Sequence, residues 1–442
     1  MNRVLGRLQD LNRAFHQRYP GDSAARQPVH TVYGGAQIFK ADTASKLGAT
    51  ALASLEENAP TPAIFARALA LSGGAKLHKM LYERIREKLK REPVEDFRID
   101  FEDGYGNRPD SEEDHHAEFT ATEVAKGMAS GTLPPFLGIR VKPFSEDLKG
   151  RAIRTLDIFV TTLARKTSRK LPDNFVVTIP KVMIPGHIAL LVELLKSLES
   201  ANGLPPESLK LEFMVETPQS IFNEQGEVAL PSLVAAAEGR CVAAHFGVYD
   251  YTASNNITAQ YQSMIHPACD FARTVMKVSL AGSGIWISDG ATNVMPVGPH
   301  RSRNQKPLTA KQRAENRGVV HRVWRMNFGH VNHSLMNGYY QGWDLHPAQL
   351  PVRYAAVYSF FLQELENAST RLRTFVEKAA QATLIGEVFD DAATGQGLLN
   401  FFLQGIGCGA IKESETSATG LTLEEIRSRS FAKIMRRRRG LS

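Results

Sequence analysis

The order of hydrophobic and polar residues predicts an α/β protein, a closed (β/α)8 TIM barrel. Short β-prone apolar runs alternate with longer stretches of helical periodicity from about residue 30 to about residue 350, the signature of parallel strands joined by crossover helices. The β-prone runs number eight, and the glycine-rich fingerprint of an open dinucleotide-binding sheet is missing. Gly73-Gly74-Ala75-Lys76 is too short for a phosphate-binding loop and follows no credible strand, so it reads as a helix start.

In chain order, the expected strands are residues 31–39, 96–101, 136–141, 175–182, 211–215, 242–247, 284–288 and 341–345. Helical patterns fall between them at 74–90, 150–165, 186–200, 231–237, 267–281 and 309–337. The chain divides into an N-terminal helical extension, 1–30, with a helix around 4–18, a barrel domain, 31–350, and a C-terminal helical extension, 351–442. That last block carries a long helix near 354–380, an apolar helix near 398–406 and a basic helix after Thr422. The segment 395–409, with Phe401 and Phe402, is too apolar for a surface helix. It is expected to pack on the barrel or on a neighbouring subunit, and a homo-oligomer is expected on that ground.

Composition limits the function classes. A chain of 442 residues with 43% hydrophobic and 22% charged residues is ordinary for a globular enzyme. Cys241, Cys269 and Cys408 are odd in number, widely spaced and form no CxxC pair, which fits a reducing cytoplasm better than a disulfide framework or a structural zinc. Residues 1–20 are charged throughout, and no run of eighteen apolar residues occurs. The expectation is a cytoplasmic protein with neither signal peptide nor membrane partner. The net charge is +7, but residues 421–442 hold seven basic side chains against Glu424 and Glu425, a surplus of +5. With no aromatic residue beside Arg436 to Arg439, this tail reads as a solvated helix end and not as a nucleic-acid site.

The chemistry concentrates at strand ends. Leu211-Glu-Phe-Met-Val-Glu216 and His245-Phe-Gly-Val-Tyr-Asp250 each run from an apolar strand to a carboxylate. Two acids on consecutive strands projecting into one cleft make a hard-cation site without Cys or His, with substrate and water completing the coordination. Arg98-Ile-Asp100-Phe-Glu102-Asp103 puts three acids at the end of the second strand. Two readings stand for Asp100 and Glu102: they face the common pocket, or they pair with Arg98, Arg140 or Lys181 as an internal network. Arg140, ending the third strand, suits the anionic end of a 2-oxo acid through its planar fork. Lys181, ending the fourth among many carboxylates, is expected to stay protonated, which favours ion pairing over Schiff-base chemistry. Asp103 is assigned proton transfer. His346 before Pro347 reads as a hydrogen-bonding bracket, and His115, His116, His330 and His333 as helix-surface residues.

These motifs, in this order, resemble the HpcH/HpaI aldolase and citrate lyase beta subunit superfamily of pyruvate- and phosphoenolpyruvate-type barrels. The resemblance is carried by Asp100-Phe-Glu-Asp103, Ile139-Arg140-Val, Ile179-Pro180-Lys181-Val, Val215-Glu216-Thr-Pro, Phe246-Gly-Val-Tyr-Asp250 and Leu345-His346-Pro-Ala-Gln349. It implies Glu216 and Asp250 as ligands of Mg2+ or Mn2+, and Arg140 as a substrate-carboxylate clamp. It also implies a metal-dependent carbon–carbon lyase or aldolase acting on a 2-oxo acid, a hydroxy acid or a coenzyme A thioester. The chain departs from the pattern in an insertion at 298–337, in its C-terminal block and in Asp103 standing where the aldolase branch keeps a histidine. Two other functions remain open. One is phosphoenolpyruvate handling with Lys142, Arg301 and Arg303 as phosphate partners; the other is a non-catalytic binding protein using the basic tail.

Overall fold

The computed structural model describes residues 2–21, 25–302, 307–378, 383–385, 388–390 and 392–438. Eight parallel strands close into a barrel in sequence order: β1 (His30–Gly35), β2 (Asp96–Asp100), β3 (Phe136–Arg140), β4 (Phe175–Ile179), β5 (Lys210–Val215), β6 (Cys241–Phe246), β7 (Trp286–Ala291) and β8 (Gln341–Asp344). The ring closes where β1 pairs with β8, His30 opposite Gly342 and Val32 opposite Asp344. Each expected strand is present, several of them shorter. β4 stops at Ile179 because Pro180 has no N–H to give the ladder and Lys181 turns to φ +50°. β7 starts later than expected, after Gly284 at φ +79° has turned the chain.

The expected helices appear as Ala75–Arg91, Lys149–Lys166, Pro185–Asn202, Leu230–Ala236, Pro267–Leu280 and Ala310–Met336. The last starts at a Thr309 cap reciprocated by Gln312. Thr43–Asn58, Pro62–Leu69 and Asp110–Ser130 are additional helices. Asp110–Ser130 has a weakly one-sided pattern, since it buries Glu113, Thr120 and Glu123 along with its alanines. The basic segment after Thr422 is two helices, Leu423–Arg427 and Phe431–Arg438, separated at Arg429 with φ +58°. Arg303, Arg439 and the far end of the expected 354–380 helix lie outside the described residues.

The C-terminal block packs on its own chain. Leu350–Glu377 buries Tyr354, Phe361 and Leu372, and the apolar helix Ala392–Gly407 lays Phe401 against Phe361 at 5.2 Å between ring centres. The apolarity of 395–409 therefore needs no second chain to explain it. Asn2–Arg18, by contrast, leaves Val4, Leu8, Leu11 and Phe15 more than half exposed. No described helix is long and apolar enough to cross a membrane.

The barrel interior is polar. Along β2, Phe97 and Ile99 face the helices while Asp96 and Arg98 point into the lumen, where Arg98 reaches β5, a strand that is not its neighbour. Its Nε and a terminal nitrogen donate to the two Glu212 oxygens at 2.7 Å each, and its other nitrogen engages Asp96. Thr178 donates to Glu212 (2.6 Å), and Glu212 also lies 3.2 Å from His245. This buried charge network carries the acids of the barrel mouth above it.

Candidate active site at the barrel mouth

The strand ends form a cavity of about 530 Å³ lined by Glu102, Asp103, Lys142, Lys181, Glu216 and Asp250, with Asn107, Ser145, Met183 and Thr217 on its walls. It sits at the C-terminal face of the barrel, where TIM-barrel chemistry is placed. Glu216 is anchored through its C-terminal neighbour. Thr217 caps the short helix Pro218–Ile221, has Pro218 at the first helical position, and donates its hydroxyl to the Val182 carbonyl (2.9 Å). The Glu216 side chain lies so close under Gly247 that a β-carbon there would collide with its Oε2. Asp250 stands in the first turn of Val248–Ser254, just beyond β6 and not on the strand end itself.

The acids of β2 divide into two roles. Asp100 builds the turn. Its Oδ1 accepts the N–H of Glu102 (3.0 Å), its Oδ2 accepts the N–H of Gly104 (2.8 Å), and both oxygens take the Arg140 guanidinium, at 2.7 and 2.5 Å. Arg140 and these backbone donors outweigh burial and hold the Asp100 carboxyl below its ordinary range. Glu102 and Asp103 are presented to the cavity by that turn. Glu102 is buried, Asp103 is 61% exposed at the rim, and Glu102 meets both the third Arg140 nitrogen (2.9 Å) and the Lys181 ammonium.

Arg140 is thus engaged on both sides by protein carboxylates, lies under the Tyr33 ring at 4.8 Å and does not line the cavity. The internal-network reading holds for Asp100; Glu102 belongs to the network and to the cavity at once. Lys142 lines the cavity but is buried and held by the Phe101 carbonyl (2.6 Å) and Glu113 (3.0 Å).

Lys181 adopts the left-handed backbone region, rare for a side-chain-bearing residue and common at functional sites. That conformation aims its N–H at Glu216 Oε1 (2.7 Å) and sends its ammonium to Glu102, with Asp250 at 3.6 Å and Asp103 at 3.7 Å. Burial alone lowers an ammonium pKa, but Glu102, Glu216 and Asp250 outweigh it and raise that of Lys181, which stays charged. Burial, Asp250 and Glu102 push the Glu216 carboxyl up to about 8, against the opposing pull of Lys181 and Arg140. Burial likewise raises Glu102. The acids lining the mouth, Glu102, Asp103, Glu216 and Asp250, outnumber the cations that line it, Lys142 and Lys181.

Among the described residues, no three His, Cys, Asp or Glu side chains form a complete cation cage. Glu216 and Asp250 offer carboxylate oxygens only, a hard donor set that fits Mg2+ or Mn2+, ions held by one or two carboxylates with water and substrate supplying the rest.

His346 is the bracket expected: its Nδ1 accepts the Ala348 N–H (3.1 Å), while Gln349 ties Leu345 and His346 to the Thr292 carbonyl. His116 meets the Tyr105 hydroxyl (2.8 Å) and His330 meets Thr292 (2.9 Å), so neither is a free surface residue. Sequence reasoning passed over Asn107, Ser145 and Met183, which lie on loops without a hydrophobic pattern to mark them.

No curated protein matches the chain. Among solved structures, a citrate lyase from Burkholderia xenovorans LB400 is similar at 16% identity and a TM-score of 0.55, over 79% of this chain and 94% of that one. That similarity shows the barrel fold. A Haloferax volcanii malate synthase in a lead(II) complex (13% identity, TM-score 0.45, 95% and 99% covered) is more loosely similar. So is the protein CitE of Mycobacterium tuberculosis with magnesium, acetoacetate and coenzyme A (13%, 0.46, 88% and 100%). The family model described as "Domain of unknown function (DUF6986)" matches residues 8–434, nearly the whole chain, and the protein belongs to that family.

Proposed function

We propose that the chain is a divalent-metal-dependent carbon–carbon lyase or aldolase acting on a 2-oxo acid, a hydroxy acid or an acyl-coenzyme A thioester. One observation carries the reading: Glu216 and Asp250 face one cavity at the C-terminal barrel mouth, close enough for the Asp250 charge to raise the Glu216 carboxyl. The six strand-end motifs that resemble the HpcH/HpaI and citrate lyase beta group support it from the sequence side. Glu216 and Asp250 would hold Mg2+ or Mn2+. A bound dication supplies positive charge where oxygen charge builds up in the transition state.

The remaining steps belong to side chains. Asp103, which solvent reaches, takes the hydroxyl proton of a 3-hydroxy acid as the carbon–carbon bond breaks. The bonding electron pair passes onto the carbon next to the carbonyl, and a proton returned there completes cleavage; synthesis is the reverse. Arg140 holds Asp100 and Glu102 in place, so its part is to position the acids. The buried Lys142 forms part of the cavity wall beside these acids.

The test is metal binding followed by activity. Calorimetry should detect Mn2+ binding by the wild type and its loss in Glu216→Gln and Asp250→Asn, with both variants folded by circular dichroism. Metal-dependent release of pyruvate or an acyl fragment should fall by about two to three orders of magnitude in each. Full activity in both variants refutes the assignment.

A further inference from the structure

We propose that Lys181 is an exchangeable cation of the barrel mouth: its ammonium and a divalent ion are alternative occupants of one carboxylate cluster, and the displaced ammonium becomes the clamp for the substrate carboxylate. This rests on the metal reading above and goes beyond it by assigning the anion-recognising residue.

Competition follows from position. The Lys181 ammonium touches Glu102 and stands 3.6 Å from Asp250, the acid a dication needs together with Glu216. A lysine ammonium and a divalent ion cannot both approach these oxygens without repelling each other across a poorly solvated pocket. The backbone has no need to move. The Lys181 N–H is fixed on Glu216 Oε1 at 2.7 Å, and the left-handed turn is set by that bond, so only the four-carbon stem must swing.

The need for a clamp follows from charge. Glu102, Asp103, Glu216 and Asp250 line the cavity, so an oxyacid entering it meets negative charge even after a dication arrives. The other cations nearby are held elsewhere: Arg140 by Asp100 and Glu102, Lys142 by Glu113 and the Phe101 carbonyl. The Lys181 side chain is 32% exposed and opens to the cavity, whereas those of Arg140 and Lys142 are almost fully buried. Lysine suits the task, since a compact three-donor charge on a flexible stem can serve two partners in turn, which a rigid guanidinium fork does less well.

The experiment compares Mn2+ binding and pyruvate binding by calorimetry in the wild type, Lys181→Met, Lys181→Arg and Glu216→Gln. Removing the competing charge should tighten Mn2+ binding in Lys181→Met by about tenfold or more. Pyruvate binding to the Mn2+-loaded protein should weaken at least about tenfold in Lys181→Met and be partly restored in Lys181→Arg, a rescue that a merely structural role would not give. Unchanged or weaker Mn2+ binding in Lys181→Met overturns the exchange while the metal reading stands, provided the wild type binds and Glu216→Gln does not. Equal pyruvate affinity in the wild type and Lys181→Met, including none in either, overturns the clamp. Failure of the wild type to bind Mn2+ overturns this proposal and the metal reading together.

Discussion

Asp103, to which we assign proton transfer, lines the cavity without being buried. It follows Glu102 on a turn that Asp100 builds, and at the rim it can exchange protons with solvent, which Glu102 beneath it cannot do as readily. We expect Asp103→Asn to lower turnover by about two to four orders of magnitude and to flatten the pH–rate profile. An undiminished rate with an unchanged profile would remove Asp103 from the mechanism. Glu216 and Asp250 were legible because each follows a hydrophobic run that ends abruptly. Arg140 was legible as a strand-end cation with two possible roles, substrate clamp or partner of Asp100 and Glu102, and the β2–β3 ladder, which sets Asp100 opposite Arg140, supplies the second.

β2 and β5 meet through the lumen by charge and not by apolar packing. Arg98 is the cation shared by Glu212 and Asp96, all three almost fully buried. Deleting Arg98 leaves two buried acids without their shared guanidinium in a poorly solvated interior, Glu212 keeping only Thr178 and His245 and Asp96 keeping Thr31. Arg98→Ala is therefore expected to destabilise the protein by about 3–5 kcal/mol, measured by urea unfolding. A loss below about 1 kcal/mol would mean that water or rearrangement replaces the guanidinium. The alternation Asp96-Phe-Arg98-Ile-Asp100 reads in the sequence as a strand with one wet face. In the barrel both faces are covered, and the polar one is the inner one.

At the opposite end of the barrel, Glu92 and Glu95 tie the N-terminal entry to the body through Arg26 and Lys88, with Lys88 also over the Tyr354 ring of the C-terminal helix. Burial opposes the charge of Glu92, but Arg26 and Lys88 outweigh it and bring its carboxyl down to about 2 from an ordinary 4.5. A folded-state value below the unfolded one means that the stabilisation is complete above about pH 4.5 and lost as pH falls toward about 2. Glu92→Gln should lower the melting temperature at neutral pH, and its deficit against wild type should shrink as the buffer is taken from pH 5 to pH 3. A deficit independent of pH over that range would contradict the assignment. The cluster joins segments from three distant parts of the chain, so no local window of sequence reveals it.

The eight strands, their parallel order and the acids at their ends were written in local patterns, because strand propensity, breaker residues and the 2.0 and 3.6 periodicities act over a few neighbours. Which charges neutralise one another stayed open among alternatives, because partners such as Arg98 with Glu212 and Lys181 with Glu102 stand on or just beyond strands that are not neighbours and are brought together only when the sheet closes on itself. The pairing of β2 with β3 sets protein carboxylates against the arginine expected as a clamp, and closure leaves a lysine among the open carboxylates. A side chain's alternation says that it leaves the strand plane, and the ring of neighbouring strands decides which group it then meets.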